Sequence, residues 1–170
     1  MDRFLNPDKV LNELELSSDM IAADFGCGSG GFTLALAKVL KDGLVHGLDV
    51  QESPLSYLKG CCIRENINNV KLSRCNLEKE KGSRLSDSSI DFILIANSLF
   101  QTEDKNAIIS EAKRVLKREG KLLIIDWLSD LVQNRISPEK VKKIAQELRL
   151  RLEKEFKPGN YHFGLIFEKA

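Results

Sequence analysis

The stretch Ile21-Ala22-Ala23-Asp24-Phe25-Gly26-Cys27-Gly28-Ser29-Gly30-Gly31-Phe32-Thr33 decides the fold of this chain. Met20 to Phe25 is apolar apart from Asp24, with the length and character of a strand buried on both faces. Asp24 falls at the C-terminal end of that strand, two residues before the first glycine. Beyond the turn, Phe32, Leu34, Ala35, Leu36, Val39 and Leu40 continue among helix formers without a proline. The glycines therefore lead a strand into a helix N-terminus, and their missing Cβ atoms let a ligand touch backbone. A second apolar strand, Leu44-Val45-His46-Gly47-Leu48-Asp49-Val50, ends in an acid about twenty residues past the turn, the usual offset for a ribose ligand. Asp49 is the natural acceptor for ribose hydroxyls, and Val50 would line an adenine face. Together the two strands describe a nucleotide-type cofactor site.

Two families share this grammar. The spacing Gly26-x-Gly28-x-x-Gly31 satisfies the dinucleotide fingerprint of the Rossmann oxidoreductases. The spacing Asp24-x-Gly26-x-Gly28-x-Gly30 separates them, because a pyrophosphate is repelled by a carboxylate beside its turn, whereas a ligand carrying an ammonium and a sulfonium is attracted. This run resembles motif I of the class I S-adenosylmethionine (SAM) methyltransferases.

The remaining chain sets bounds on that resemblance. With 170 residues, 42% hydrophobic and 30% charged, it fits one domain over residues 1–170 with a sizeable core. A net charge of +1 calls for neither nucleic acid nor membrane, although a local basic patch stays open, so nucleic acid is neither supported nor excluded. Met1 to Pro7 lacks the apolar segment of a signal peptide, and no apolar run approaches membrane-spanning length, so a cytoplasmic location is expected. Cys27, Cys61, Cys62 and Cys75 lack zinc-site spacing, and vicinal Cys61-Cys62 is poor disulfide geometry; buried reduced thiols and no metal are expected. Cys27 within the turn reads as a small space-filling side chain in preference to an oxidation-sensitive one.

Strands alternate with helices, without linker or repeat, which is the signature of an α/β fold with a mostly parallel sheet. Asn6 and Pro7 open a short helix carrying Val10, Leu11 and Leu14; Ser53-Pro54 opens another carrying Leu55 and Leu58. Val70 to Cys75 reads as the third strand, and Ile90 to Ala96 as a strongly buried, central fourth. Ile108, Ile109, Ala112, Val115 and Leu116 form a helix stripe closed by Lys117, Arg118 and Gly120, ahead of a fifth strand from Lys121 to Trp127. Ser137 caps a further helix with Val141, Ile144, Ala145 and Leu148 inward and Lys140, Lys142 and Lys143 on a solvated face. Leu150 to Phe156, the turn Lys157-Pro158-Gly159-Asn160, and Tyr161 to Phe167 read as a terminal antiparallel hairpin. The class I methyltransferase fold ends with such a pair, its last strand inserted antiparallel beside the fifth, and dehydrogenase-type Rossmann domains do not. The resemblance thus implies a Rossmann-like class I methyltransferase fold: a mostly parallel seven-stranded sheet, helices on both faces, and a C-terminal antiparallel hairpin.

Asp87 to Phe92 and Glu111 to Lys121 look like the broad "type 11" branch, which includes ubiquinone- and menaquinone-biosynthesis methyltransferases. By that likeness the backbone of Gly26, Cys27, Gly28 and Gly30 would hold the amino-acid moiety of SAM. Asp24 would meet its ammonium directly or through water, Asp49 its ribose, Asn76 and Leu77 its adenine, while Asn97 would offer a carbonyl. Asn76 stands where the common pattern has Asp, and its amide supplies both an acceptor for the adenine amino group and a donor for a ring nitrogen. Ala96-Asn97-Ser98-Leu99-Phe100 lacks the two prolines used by methyltransferases of adenine or glutamine amide nitrogen, which argues against those acceptors. Phe100 reads as core more readily than as a substrate platform.

The implied reaction moves the SAM methyl group to an unidentified acceptor and leaves S-adenosylhomocysteine (SAH), accelerated mainly by alignment. His46 and His162 read as structural, Asp126 is the one carboxylate worth testing as a base, and no catalytic residue is assigned. Only Leu128 to Ser137 separates the fifth strand from its helix, so the mouth of the site is expected to be open. That openness fits a bulky or macromolecular substrate, or a homodimer partner that covers a small one. A non-catalytic SAM-binding subunit or regulator and an NAD-dependent oxidoreductase are the competing classes.

Overall fold

The computed structural model describes residues 5–128 and 132–170. Five strands, β1 (Ile21–Phe25), β2 (Leu44–Asp49), β3 (Val70–Arg74), β4 (Ile90–Ala96) and β5 (Leu116–Trp127), pair parallel. The terminal hairpin of β6 (Leu150–Gly159) and β7 (His162–Lys169) joins them antiparallel through β7 and β5. The order is β3-β2-β1-β4-β5-β7-β6, which puts β4 at the centre and the hairpin where the sequence expects it. The order reverses between β1 and β4, and the crevice beyond the carboxyl ends at such a switch point is where ligands bind in open α/β sheets.

Alternation along the buried strands feeds two cores. In β4, Phe92 and Leu94 face α1 (Pro7–Leu11) and α2 (Gly31–Val39), whereas Ile93 and Ile95 pack with residues of α4 (Lys105–Val115) and α5 (Pro138–Glu147). Val10, Leu11, Leu36 and Leu40 complete the first core; Ile109, Ala112, Val141 and Ala145 complete the second. A third cluster forms around Cys27, Leu55, Leu58 and Cys62, under α3 (Glu52–Arg64). All four cysteines are buried and unpaired, as expected.

Several boundaries differ from the sequence reading. The first helix stops at Leu11, which leaves Leu14 outside it. Helix α3 begins at Glu52 after Gln51, so Pro54 sits inside the first turn, where a missing N–H is tolerated. Helix α4 closes at Val115, and Leu116, Lys117, Arg118 and Gly120 belong to β5. Ile90 offers Leu116 a buried strand partner, the register then shifts before Phe92, and Glu119 takes the left-handed turn at φ +63. Lys117 Nζ donates to Asp91 Oδ1 at 2.8 Å. At the hairpin, Pro158 and Gly159 extend β6 instead of forming the turn; β6 is an edge strand, where proline is compatible with pairing.

A buried ionic cluster ties the segment after β3 to α4. Glu111 is 5% exposed. Its Oε1 accepts from the Ser83 N–H at 3.0 Å and the Ser83 hydroxyl at 2.5 Å. Arg114 donates to both Glu111 oxygens, at 2.8 and 2.7 Å, and reaches Leu85 O at 2.9 Å and the Asp87 carboxylate.

Candidate functional site

The carboxyl ends of β1, β2, β3 and β4 open on a cavity of about 600 Å³. Every site residue expected from the sequence lines it: Asp24, Gly26, Cys27, Gly28, Gly30, Asp49, Val50, Asn76, Leu77 and Asn97.

Backbone bonds build the glycine turn. The Gly26 and Cys27 N–H groups both donate to Leu48 O, at 2.8 and 2.9 Å, so β2 holds the start of the turn. The Gly28 N–H donates to Asp49 Oδ2 at 2.9 Å, and the Gln51 N–H to Asp49 Oδ1 at 2.9 Å. Asp49 is therefore fixed by the turn it stabilises, and each oxygen keeps acceptor capacity for a hydroxyl. The glycines differ in what they make room for. Gly28 has φ +51, and a Cβ there would meet nothing within 4 Å. A Cβ at Gly30, with φ +90, would lie 2.2 Å from Leu58 Cδ1, so its bareness lets α2 start against α3.

Asp24 is 2% exposed and accepts from the Thr33 hydroxyl at 2.7 Å. Burial lifts its pKa to about 7; the Thr33 hydrogen bond opposes that rise and the Asp49 charge adds to it. Burial, then Asp24 and Asp49, push the Cys27 thiol well above its usual range, so it stays protonated and fills space. Asn76 Oδ1 accepts from the Glu78 N–H at 2.9 Å, so the acceptor role expected of this side chain is shared with an Asx turn. Asn97 closes β4 at φ +52, a conformation Asn tolerates, and its Oδ1 is buried without a hydrogen-bond partner. Val50 is 55% exposed beside Asp49, an apolar surface that a flat ring would cover.

Asp126 has a different role from the one the sequence allowed. It is fully buried, does not line the cavity, and accepts from the Leu99 and Trp127 N–H groups at 3.0 and 2.8 Å. Burial raises its pKa to about 6, against the pull of the Trp127, Leu99 and Phe100 N–H groups. It anchors the short 3₁₀ turn Leu99–Gln101, and the flanking Ser98, Gln101 and Thr102 do line the cavity. His46 and His162 lie off the cavity with pKa values lowered by burial, His46 further by Lys71; the His162 ring sits 4.1 Å from Trp127. Phe100 is also absent from the lining.

Sequence reasoning missed Leu5, Pro7 and Phe32, which form a cavity wall because α1 packs on α2, with Pro7 Cγ 3.9 Å from a Cβ position at Gly31. No local signal carries that contact. Of the connection expected to leave the mouth open, residues 129–131 lie outside the described residues.

Comparison with known proteins agrees with this geometry. The family model described as "Methyltransferase domain" matches residues 16–162, and the chain belongs to that family. The demethylmenaquinone methyltransferase of Lactobacillus johnsonii is 31% identical over 127 residues, which are 69% of this chain and 48% of that protein. A SAM-dependent methyltransferase from Aquifex aeolicus superposes with a TM-score of 0.87 at 28% identity, covering 98% of this chain and 90% of that one. The [4+2]-cyclase SpnF shares the fold alone, with a TM-score of 0.82 and 15% identity over 96% of this chain and 79% of its own. The chain spans about half the length of the curated relatives it matches.

Proposed function

We propose that the chain binds SAM in this cavity and transfers its methyl group to an acceptor, with SAH as the product. The observation that carries the reading is the open space at Gly28 beside two carboxyl groups, Asp24 and Asp49, a setting that favours a cation with ribose hydroxyls and opposes a pyrophosphate. The competing NAD reading is disfavoured on that ground. Family membership and the likeness to the Aquifex enzyme support the same cofactor.

The residues fit the ligand part by part. Backbone from Gly26 to Gly30 receives the amino-acid moiety, with Asp24 against its ammonium. Asp49 accepts from the ribose, Val50 and Leu77 cover the adenine, and Asn76 meets its edge. Asn97 contributes a carbonyl at the end of β4. Bound SAM supplies an electrophilic methyl on a sulfonium whose charge disappears on transfer. The chain's part is to bind, align and exclude water, and alignment accounts for much of the acceleration such a site gives. Leu5, Pro7 and Phe32, with Ser98, Gln101 and Thr102, surround the remaining cavity and would face the acceptor. The buried, unpaired cysteines fit a reducing cytoplasm, and among the described residues no helix is long and apolar enough to cross a membrane.

Incubation with methyl-labelled SAM and a fractionated extract of metabolites, RNA and protein is expected to move label into one fraction. The SpnF likeness shows that this fold also carries other chemistry, so the fold by itself does not fix methyl transfer. Tight SAM binding with no labelled product in any fraction would favour a non-catalytic SAM-binding subunit or regulator.

Asp49→Ala removes charge-assisted hydrogen bonds of about 1.5 to 3 kcal/mol, so SAM affinity is expected to fall by roughly tenfold or more. The Gly28 N–H loses its partner in the same change, which adds disorder of the turn to the loss. Calorimetry on the folded variant checks this; unchanged affinity would remove Asp49 from the ribose site.

A further inference from the structure

Of the carboxyl groups that line the cavity, Asp24 is the buried one, and no ion pair balances it among the described residues. Asp24 is 2% exposed, lines the cavity, and accepts from the Thr33 hydroxyl of α2 at 2.7 Å. The glycine turn brings the protonated Cys27 thiol, and β2 brings Gly47 at the paired position and the Asp49 carboxylate beyond it. Strand β4 places apolar Leu94 opposite. No Lys, Arg or His among the described residues lines the cavity.

We propose that a cationic ligand entering this cavity displaces a proton from Asp24, so that cofactor binding and proton release are one coupled event. This rests on the SAM reading, which puts an ammonium against the Asp24 carboxyl. In the ligand-free protein a desolvated carboxyl beside a second carboxylate is favoured in its neutral form, with the proton held on the carboxyl group. When the ammonium arrives, the O–H bond breaks, the proton leaves to solvent, and carboxylate and ammonium form a buried ion pair. Because the α-carboxylate and the sulfonium of SAM cancel, the exchange of a proton for the ammonium leaves the charge within the site unchanged. It also lets a buried anion appear only when its partner is present, which avoids an unpaired charge in either state.

The sign follows from linkage. The free protein holds the proton up to about pH 7, and the complex gives it up at lower pH, so affinity rises with pH toward 7 and levels off above it. The rise approaches about tenfold per pH unit below the free-state midpoint. At the alkaline end the ligand's own ammonium begins to be lost and binding weakens again.

Titration calorimetry with SAH, at pH 6.5 in buffers of different ionisation enthalpy, tests the proposal. SAH carries the same ammonium without the sulfonium. Release of most of one proton per SAH bound is expected, from a group half-protonated near pH 7. Asp24→Asn should abolish the release and flatten the acid limb of the pH profile. Thr33→Val, which takes away the hydroxyl that lowers the Asp24 midpoint, should keep the release and move the acid limb to higher pH. SAH binding by wild type without proton release, or a release that survives in Asp24→Asn, overturns the coupling while leaving the cofactor reading intact. Absence of SAH binding at every pH overturns both.

Discussion

Glu111→Ala is expected to lower the stability of the fold by about 3 to 5 kcal/mol, the usual cost of removing one partner from a buried ion pair. The side chain is 4% exposed and its partner Arg114 20%, so water replaces little of what is lost. Alanine takes from the guanidinium the two Glu111 oxygens in its fork, leaving it only Asp87 and Leu85 O, and leaves the Ser83 N–H and hydroxyl without their acceptor. In a chain of this length each kcal/mol moves the thermal midpoint by roughly 2 to 4 °C, so a drop on the order of 10 °C is expected. Guanidinium denaturation at pH 7 gives the free-energy difference directly.

Acid provides a second check on the same cluster. Burial works to raise the Glu111 pKa, but the hydrogen bonds from Arg114 and Ser83 outweigh it and hold the carboxyl below its ordinary value. A depressed folded-state pKa means the stabilisation is present above the ordinary carboxylate range and is lost as pH falls through the folded value. Wild type should therefore shed this increment only in strong acid, and Glu111→Ala should lack that step. A loss below about 1 kcal/mol with an unchanged acid limb would mean the cluster is solvated in solution.

The position of Glu111 also explains which parts of this molecule were legible in its sequence. Its neighbours in the chain read as an amphipathic helix, and α4 is one. That Glu111 turns inward to hold Ser83, 28 residues earlier, depends on tertiary packing that periodicity does not encode. The same limit misplaced the end of α4. Leu116 continues the helical stripe and Lys117, Arg118 and Gly120 form a helix-stop signature, but Ile90 supplies a strand partner that outcompetes the last turn. Where signal and structure agree, the reason is local grammar: buried strand, acid at its end, glycine turn, helix. Those features fix Asp24, the glycines and Asp49 at the carboxyl edge of adjacent strands whatever lies elsewhere. Leu5, Pro7, Ser98, Gln101 and Thr102 join the cavity only through packing of α1 and the Asp126 anchor, and nothing in their own sequence contexts announces it. Spacing also treats Gly28 and Gly30 alike, although one faces open cavity and the other faces Leu58.

That last distinction gives the second large effect: Gly28→Asp should abolish SAM and SAH binding while leaving the protein folded. At φ +51 the backbone is in the left-handed region, which Asp enters more readily than most residues, at a strain of about 1 kcal/mol. The new Cβ meets no protein atom within 4 Å, so nothing in the ligand-free core must move. The added carboxylate instead occupies the space where the amino-acid moiety would lie against backbone, and it stands beside Asp49, whose Oδ2 already takes the Gly28 N–H. A loss of at least 100-fold in affinity, about 2.7 kcal/mol, is expected, with methyl transfer lost in parallel. Gly30→Ala should behave in the opposite way. Its Cβ would fall 2.2 Å from Leu58 Cδ1 and force α2 and α3 apart, a strain of roughly 1 to 3 kcal/mol that appears in denaturation before it appears in binding. Paired calorimetry and denaturation on the two variants separate ligand contact from helix packing. SAH binding within a few-fold of wild type by a folded Gly28→Asp protein would mean that the cofactor does not rest on this turn.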